Sequence, residues 1–179
     1  MFKNERKDRI LFFWLLLSSL ILLSQTKKEI YFADARCFMT GNKIANATCG
    51  VKDRKSLYLV IQTKNVLVSL VGISRLTLNT IGSKNAITLN GVRLDICQIL
   101  AGAFRPSLLS FINQGLRDSF VEFPKKCPLK ADTTYRAHNI SFDTSAVPRF
   151  TPDYNFTFSA IFMANNVASF EYWCWGVFN

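Results

Sequence analysis

Tyr154-Asn155-Phe156-Thr157-Phe158-Ser159-Ala160-Ile161-Phe162-Met163-Ala164-Asn165-Asn166, followed by the aromatic run up to Phe178, is the stretch on which the fold turns. In its first half Tyr154, Phe156, Phe158, Ala160 and Phe162 alternate with Asn155, Thr157 and Ser159. Successive side chains of a strand point to opposite faces of a sheet, so strict alternation describes a strand buried on one side only. Asn165-Asn166 suits a two-residue hairpin turn, because asparagine tolerates the positive φ that such turns need. A hairpin closed there sets an expected register: Phe158 opposite Trp173, Phe156 opposite Trp175 and Tyr154 opposite Val177. Aromatic cross-strand pairs add about 0.2–1 kcal/mol each over an alanine pair. The same register sends Asn155, Thr157 and Cys174 to the solvent side, and a one-residue slip would exchange the two faces. Glu171 fits badly, falling inward opposite Ala160.

Working back from this hairpin, short apolar runs alternate with polar turns. Residues 57–61, 66–71, 73–78, 86–89 and 92–97 are expected strands, with turns at 82–85 and at Asn90-Gly91. The period then changes. Leu108, Leu109, Phe111, Ile112 and Leu116 share one helical face, and Pro106 suits a first helical position, where its missing N–H would be unpaired anyway. A shorter helical turn is expected over 98–104, a strand over 135–142 and a loop over 145–153, which holds Pro148 and Pro152. The sum is a mainly β chain, a β-sandwich or related all-β fold with one helical insertion around residues 99–116.

Residues 1–24 have a basic start (Lys3, Arg6, Lys7, Arg9) and an apolar run from Ile10 to Ser24, the pattern of a signal peptide. Cleavage falls between 24 and 27, with Ser24 and Thr26 as the small flanking residues. Residues 25–179 then form a single domain that is secreted and extracellular. If the segment were retained it would anchor the protein; otherwise membrane contact is only transient. Losing it removes four basic and two acidic groups, so the net charge falls from +10 to +8. The basic residues are scattered with no run of five, which describes a solvated surface, and export argues against a nucleic-acid partner.

Three sequons follow, at Asn46, Asn139 and Asn155, and are expected to carry glycans in an exported chain. Five cysteines remain, Cys37, Cys49, Cys97, Cys127 and Cys174, and in an oxidising compartment four should pair. No Cys-x-x-Cys occurs and His138 is the one histidine, so no metal site is expected. No Gly-x-Ser-x-Gly elbow and no phosphate-binding glycine loop is present. Asp95, Asp118, Glu122, Asp132, Asp143, Asp153 and Glu171 are scattered along the chain, and Asp95 is expected to hydrogen-bond a neighbouring turn. These observations point away from an enzyme and from any cofactor.

The chain resembles an insect family of secreted proteins of unknown function that includes the chemosensory-B proteins and is similar to the ML lipid-recognition domains. The resemblance rests on an ordered set: Cys37 with Cys49-Gly50-Val51-Lys52 and Arg54; the segment from Asn90 to Leu100; the helix after it; Lys126-Cys127-Pro128; Tyr135 and Asn139; Pro148; and Tyr154. It implies a two-sheet, immunoglobulin-like sandwich that opens to admit an apolar ligand, extracellular action and, for some relatives, contact chemosensation of pheromones. The family's usual cysteines match Cys37, Cys49, Cys97 and Cys127, which leaves Cys174 as the odd one. On loop closure alone, Cys37–Cys49 and Cys97–Cys127 close loops of eleven and twenty-nine intervening residues, and the main rival is Cys37–Cys174.

The expected ligand is a lipid or other apolar small molecule, lined by Phe104, Phe111, Phe156, Phe158, Trp173 and Trp175, with Phe120 and Phe123 adding to the aromatic surplus. The alternative is an extracellular protein-interaction or co-receptor module, engaging a cell-surface receptor without a small molecule.

Overall fold

A computed structural model describes residues 28–103, 110–144, 147–148 and 150–179, so the expected signal peptide and Phe104 lie outside the described residues. The side chain of Phe111 lies outside them too. The strands are β1 (Ile30–Met39), β2 (Ile44–Val51), β3 (Leu57–Thr63), β4 (Leu70–Thr80), β5 (Ala86–Asp95), β6 (Thr134–Ile140), β7 (Tyr154–Ala164) and β8 (Val167–Phe178). The helices are α1 (Ile96–Leu100) and α2 (Ser110–Ser119). One antiparallel sheet runs β1-β8-β7-β4-β5 and the other β2-β3-β6, which is the expected two-sheet sandwich.

The core forms where the alternating faces meet. Phe32 meets Phe156 edge-on at 5.8 Å, and Phe162 stacks on Phe170 at 4.6 Å. Leu57, Ile61 and Ile140 supply the facing surface of the smaller sheet, each at most 3 % exposed. The Cys37–Cys49 disulfide joins β1 to β2 and so one sheet to the other. Cys97–Cys127 ties α1 to the segment ahead of β6. Cys174 is a free, buried thiol, so the rival bond to Cys37 does not form.

The turn at Asn165-Asn166 is as expected, with φ of 50° and 66°, but the expected register is not. Ala164 faces Val167 and Met163 faces Ala168; the ladder then shifts and Phe162 faces Phe170. Ser169 is the extra residue, a β-bulge. Its hydroxyl donates to the Val167 carbonyl at 2.9 Å, and its own carbonyl accepts from the Thr40 and Gly41 amides at 3.0 and 3.1 Å. A Cβ on Gly41 would lie 2.0 Å from the Ala168 carbonyl oxygen, so only glycine lets the β1–β2 connection approach the bulge. Beyond it Phe158 faces Cys174, Phe156 faces Gly176 and Tyr154 faces Phe178. Cys174 therefore points inward, 4 % exposed, while Trp173 and Trp175 turn to the outer face. The awkward Glu171 is resolved by the same shift: it faces Ile161 on the outside and accepts from the Trp173 indole N–H at 3.2 Å.

A second bulge corrects a second expectation. Asn90-Gly91 is not a turn, because β5 runs straight through it. Asn90 pairs with Arg75 and Val92 with Ser74, leaving Gly91 extra at φ 70°, a conformation glycine adopts at no steric cost. Val66 to Ser69 precedes β4 instead of opening it, with Leu67 bridged to Leu129. The helical insertion is also displaced. Asp95 caps α1, its carboxylate accepting the Gln98 amide at 3.1 Å, so that helix starts ahead of residue 98. The second helix continues to Ser119, beyond the Leu116 end expected from the apolar stripe, and the residues following it bring Phe123 onto Tyr135, with Phe120 packed against Phe123.

Candidate ligand-binding cavity

The five-stranded sheet is wider than its partner, and their inner faces do not fill the space between them. A cavity of about 300 Å³ remains. Its wall includes Leu76 and Leu78 from β4, Phe156 and Phe158 from β7, and Tyr172 and Cys174 from β8. Phe156 and Phe158 line this cavity, and Trp173 and Trp175 do not, because the Ser169 bulge turned them outward. Leu76, Leu78, Tyr172 and Cys174 were missed. Leu70, Leu76 and Leu78 share the period-two pattern that marks a buried face; Tyr172 and Cys174 were hidden by the register error.

Among the described residues no charged side chain lines this space. Its hydroxyls are those of Thr144, Thr151, Tyr154 and Tyr172. Thr144 donates to the Lys28 carbonyl, and the buried Tyr172 hydroxyl has no hydrogen-bond partner. Burial pushes the Cys174 thiol up to about 12. Burial also holds the Tyr172 phenol well above its ordinary range. Both groups are neutral at physiological pH. A thiol held protonated is a poor nucleophile, so the chemistry on offer is solvation of hydrocarbon.

A second, polar cleft of about 310 Å³ lies between α2 and β6. It gathers Asp118, Glu122 and Asp143, which are scattered in sequence, beside Arg136 and His138. His138 is an exposed strand residue, as expected, its Nε2 lying 3.9 Å from Glu122, which also faces Arg136 at 3.5 Å. No set of three ligating side chains among the described residues is arranged to hold a metal ion. Asn46, Asn139 and Asn155 are all exposed, and the Asn139 side chain accepts from Lys52 at 3.0 Å. No helix among the described residues is long and apolar enough to cross a membrane.

No curated protein matches the chain. Residues 75–158, from the middle of β4 to the middle of β7, match the model of a family described as Protein of unknown function (DUF1091), which supports placing the chain with an uncharacterised family.

Proposed function

We propose that the chain is an exported, non-catalytic protein that binds a lipid or other apolar small molecule between its two sheets. The cavity of about 300 Å³ carries this reading, since it combines the size of a small ligand site with a wall free of charge among the described residues. Two disulfides fit an oxidising compartment. The basic, then apolar, first 24 residues support a cleaved signal peptide, and three exposed sequons support glycosylation. The resemblance to the chemosensory-B and ML proteins adds a role in contact chemosensation, with the ligand a pheromone-like apolar molecule.

A second reading, docking to a cell-surface receptor, has one observation in its favour. Trp173 is 38 % exposed on the outer face, next to Trp175, over which the Arg36 guanidinium sits at 5.3 Å. Tryptophan and arginine are enriched in protein interfaces.

Native mass spectrometry of the full chain secreted from eukaryotic cells separates the readings. Ligand binding predicts an added apolar mass on the monomer, with N-linked glycan and a first residue between 25 and 27. A secreted chain carrying no small molecule, and taking none up from an offered lipid mixture, would count against it.

A further inference from the structure

The apolar inner face of the larger sheet does not end at the cavity wall. Leu76 and Leu78 on its wall pair across the β4–β5 ladder with Leu89 and Ile87. Side chains directly opposite in a ladder share one face of the sheet. Leu89 and Ile87 therefore continue the inner apolar face, yet they are 42 % and 49 % exposed. The reason is topological: β5 is the edge of a five-stranded sheet, and the opposing sheet has three strands.

The Gly91 bulge makes the strip continuous. Without an extra residue there, Arg93 would share a face with Ile87 and Leu89. With it, Val92 and Leu94 take that face, Leu94 lines the cavity, and Arg93 points away. An apolar path thus leads from buried Leu94 and half-buried Leu76 and Leu78 out to Leu89 and Ile87, and none of its side chains is charged.

We infer that Ile87 and Leu89 are an extension of the ligand site, and that the ligand is a single-chain hydrocarbon longer than the cavity. This rests on the proposed binding function. A volume of about 300 Å³ holds on the order of ten methylene-sized groups, taking the roughly 30 Å³ a water occupies in the liquid as the unit. A longer chain has to leave the cavity, and the uncharged strip along β5 is the surface that continues it. A neutral chain suits the wall, since an ionised head group inside would have no counter-charge among the described lining residues.

Displacement of N-phenylnaphthylamine from the full chain by decanol and by hexadecanol tests the extension. A fully buried methylene is worth about 0.8 kcal/mol, or about fourfold in affinity, and one lying on an exposed strip about half that energy, or about twofold. Hexadecanol should therefore bind at least about tenfold more tightly than decanol. The double variant Ile87→Thr, Leu89→Thr puts β-branched residues, which favour strands, at both positions of an exposed strand. It should bring the two alkanols to similar affinity while leaving decanol binding unchanged, and unchanged decanol binding also shows that the variant is folded. Equal affinity of both alkanols in the unaltered chain, or a preference that survives the double variant, overturns the extension while leaving the binding function intact. Binding of neither alkanol overturns both. A concentration-dependent dimer that the double variant abolishes overturns the extension by assigning this strip to a second copy of the chain.

Discussion

Phe158 stands opposite Cys174 in the β7–β8 ladder, both on the inner face of the larger sheet. The free cysteine is therefore walled in, 4 % exposed, with its thiol pushed up to about 12 by burial. Iodoacetamide at neutral pH should leave Cys174 unmodified in the native chain and alkylate it fully after denaturation, as read by peptide mass mapping. Fast labelling of the folded protein, or a dimer that reductant dissolves, would contradict this placement.

The same thiol predicts an alkaline weakness. Up to about pH 8, a unit below its ordinary value of 9.0, the thiol is protonated in both the folded and the unfolded chain. As pH climbs from there towards 12, the unfolded chain releases the proton and the folded chain keeps it, so stability falls across that window. The buried Tyr172 phenol, also raised, adds to the fall at the upper end. Urea midpoints measured from pH 7 to pH 11 should decline, and Cys174→Ala should flatten the decline. An identical decline in the variant would show that other groups cause it.

The register itself can be tested by contrast. Phe156 is 9 % exposed on the inner face and Trp173 is 38 % exposed on the outer. Phe156→Ala should cost about 3–5 kcal/mol in chemical denaturation, and Trp173→Ala at most about 1 kcal/mol. Equal losses would point back to the unbulged register in which both rings are inside.

Gly41 underlies the bulge that sets this register. Gly41→Ala would drive a methyl group into the Ala168 carbonyl and should destabilise by about 1–3 kcal/mol, the usual cost of overpacking. A melting temperature unchanged from the parent would mean that the connection moves aside freely.

Tyr172 carries a buried hydroxyl without a partner. Tyr172→Phe removes an unsatisfied polar atom and keeps the ring that meets Phe158 at 6.2 Å, so the chain should gain about 1 kcal/mol. A loss of stability would mean that the hydroxyl has a partner after all.

Much of this architecture was legible in the residues. The alternation in β7 and the turn at Asn165-Asn166 led to the sandwich, and loop closure favoured the Cys37–Cys49 and Cys97–Cys127 bonds over the rival Cys37–Cys174. What failed was parity. A bulge inserts one residue without breaking the hydrophobic run, so nothing at Ser169 announces it locally. The signal lay two residues on, in Glu171, whose charge belonged outside. At Asn90-Gly91 the dipeptide suited both a turn and a bulge, and the choice depended on β4 lying alongside to pair with both sides of it. The cavity wall was half legible for the same reason: Phe156 and Phe158 precede the bulge, whereas Tyr172 and Cys174 follow it. Clustering of Asp118, Glu122 and Asp143 in one cleft was out of reach, because it depends on how α2 lies against β6.

Whether the space between the sheets is a binding site is settled most directly by titrating the purified full chain with N-phenylnaphthylamine and following its emission. The cavity predicts a saturable, blue-shifted signal that corresponds to one site per chain and is displaced by decanol. A signal that rises linearly without saturation, or is indifferent to decanol, would contradict the cavity as the seat of function.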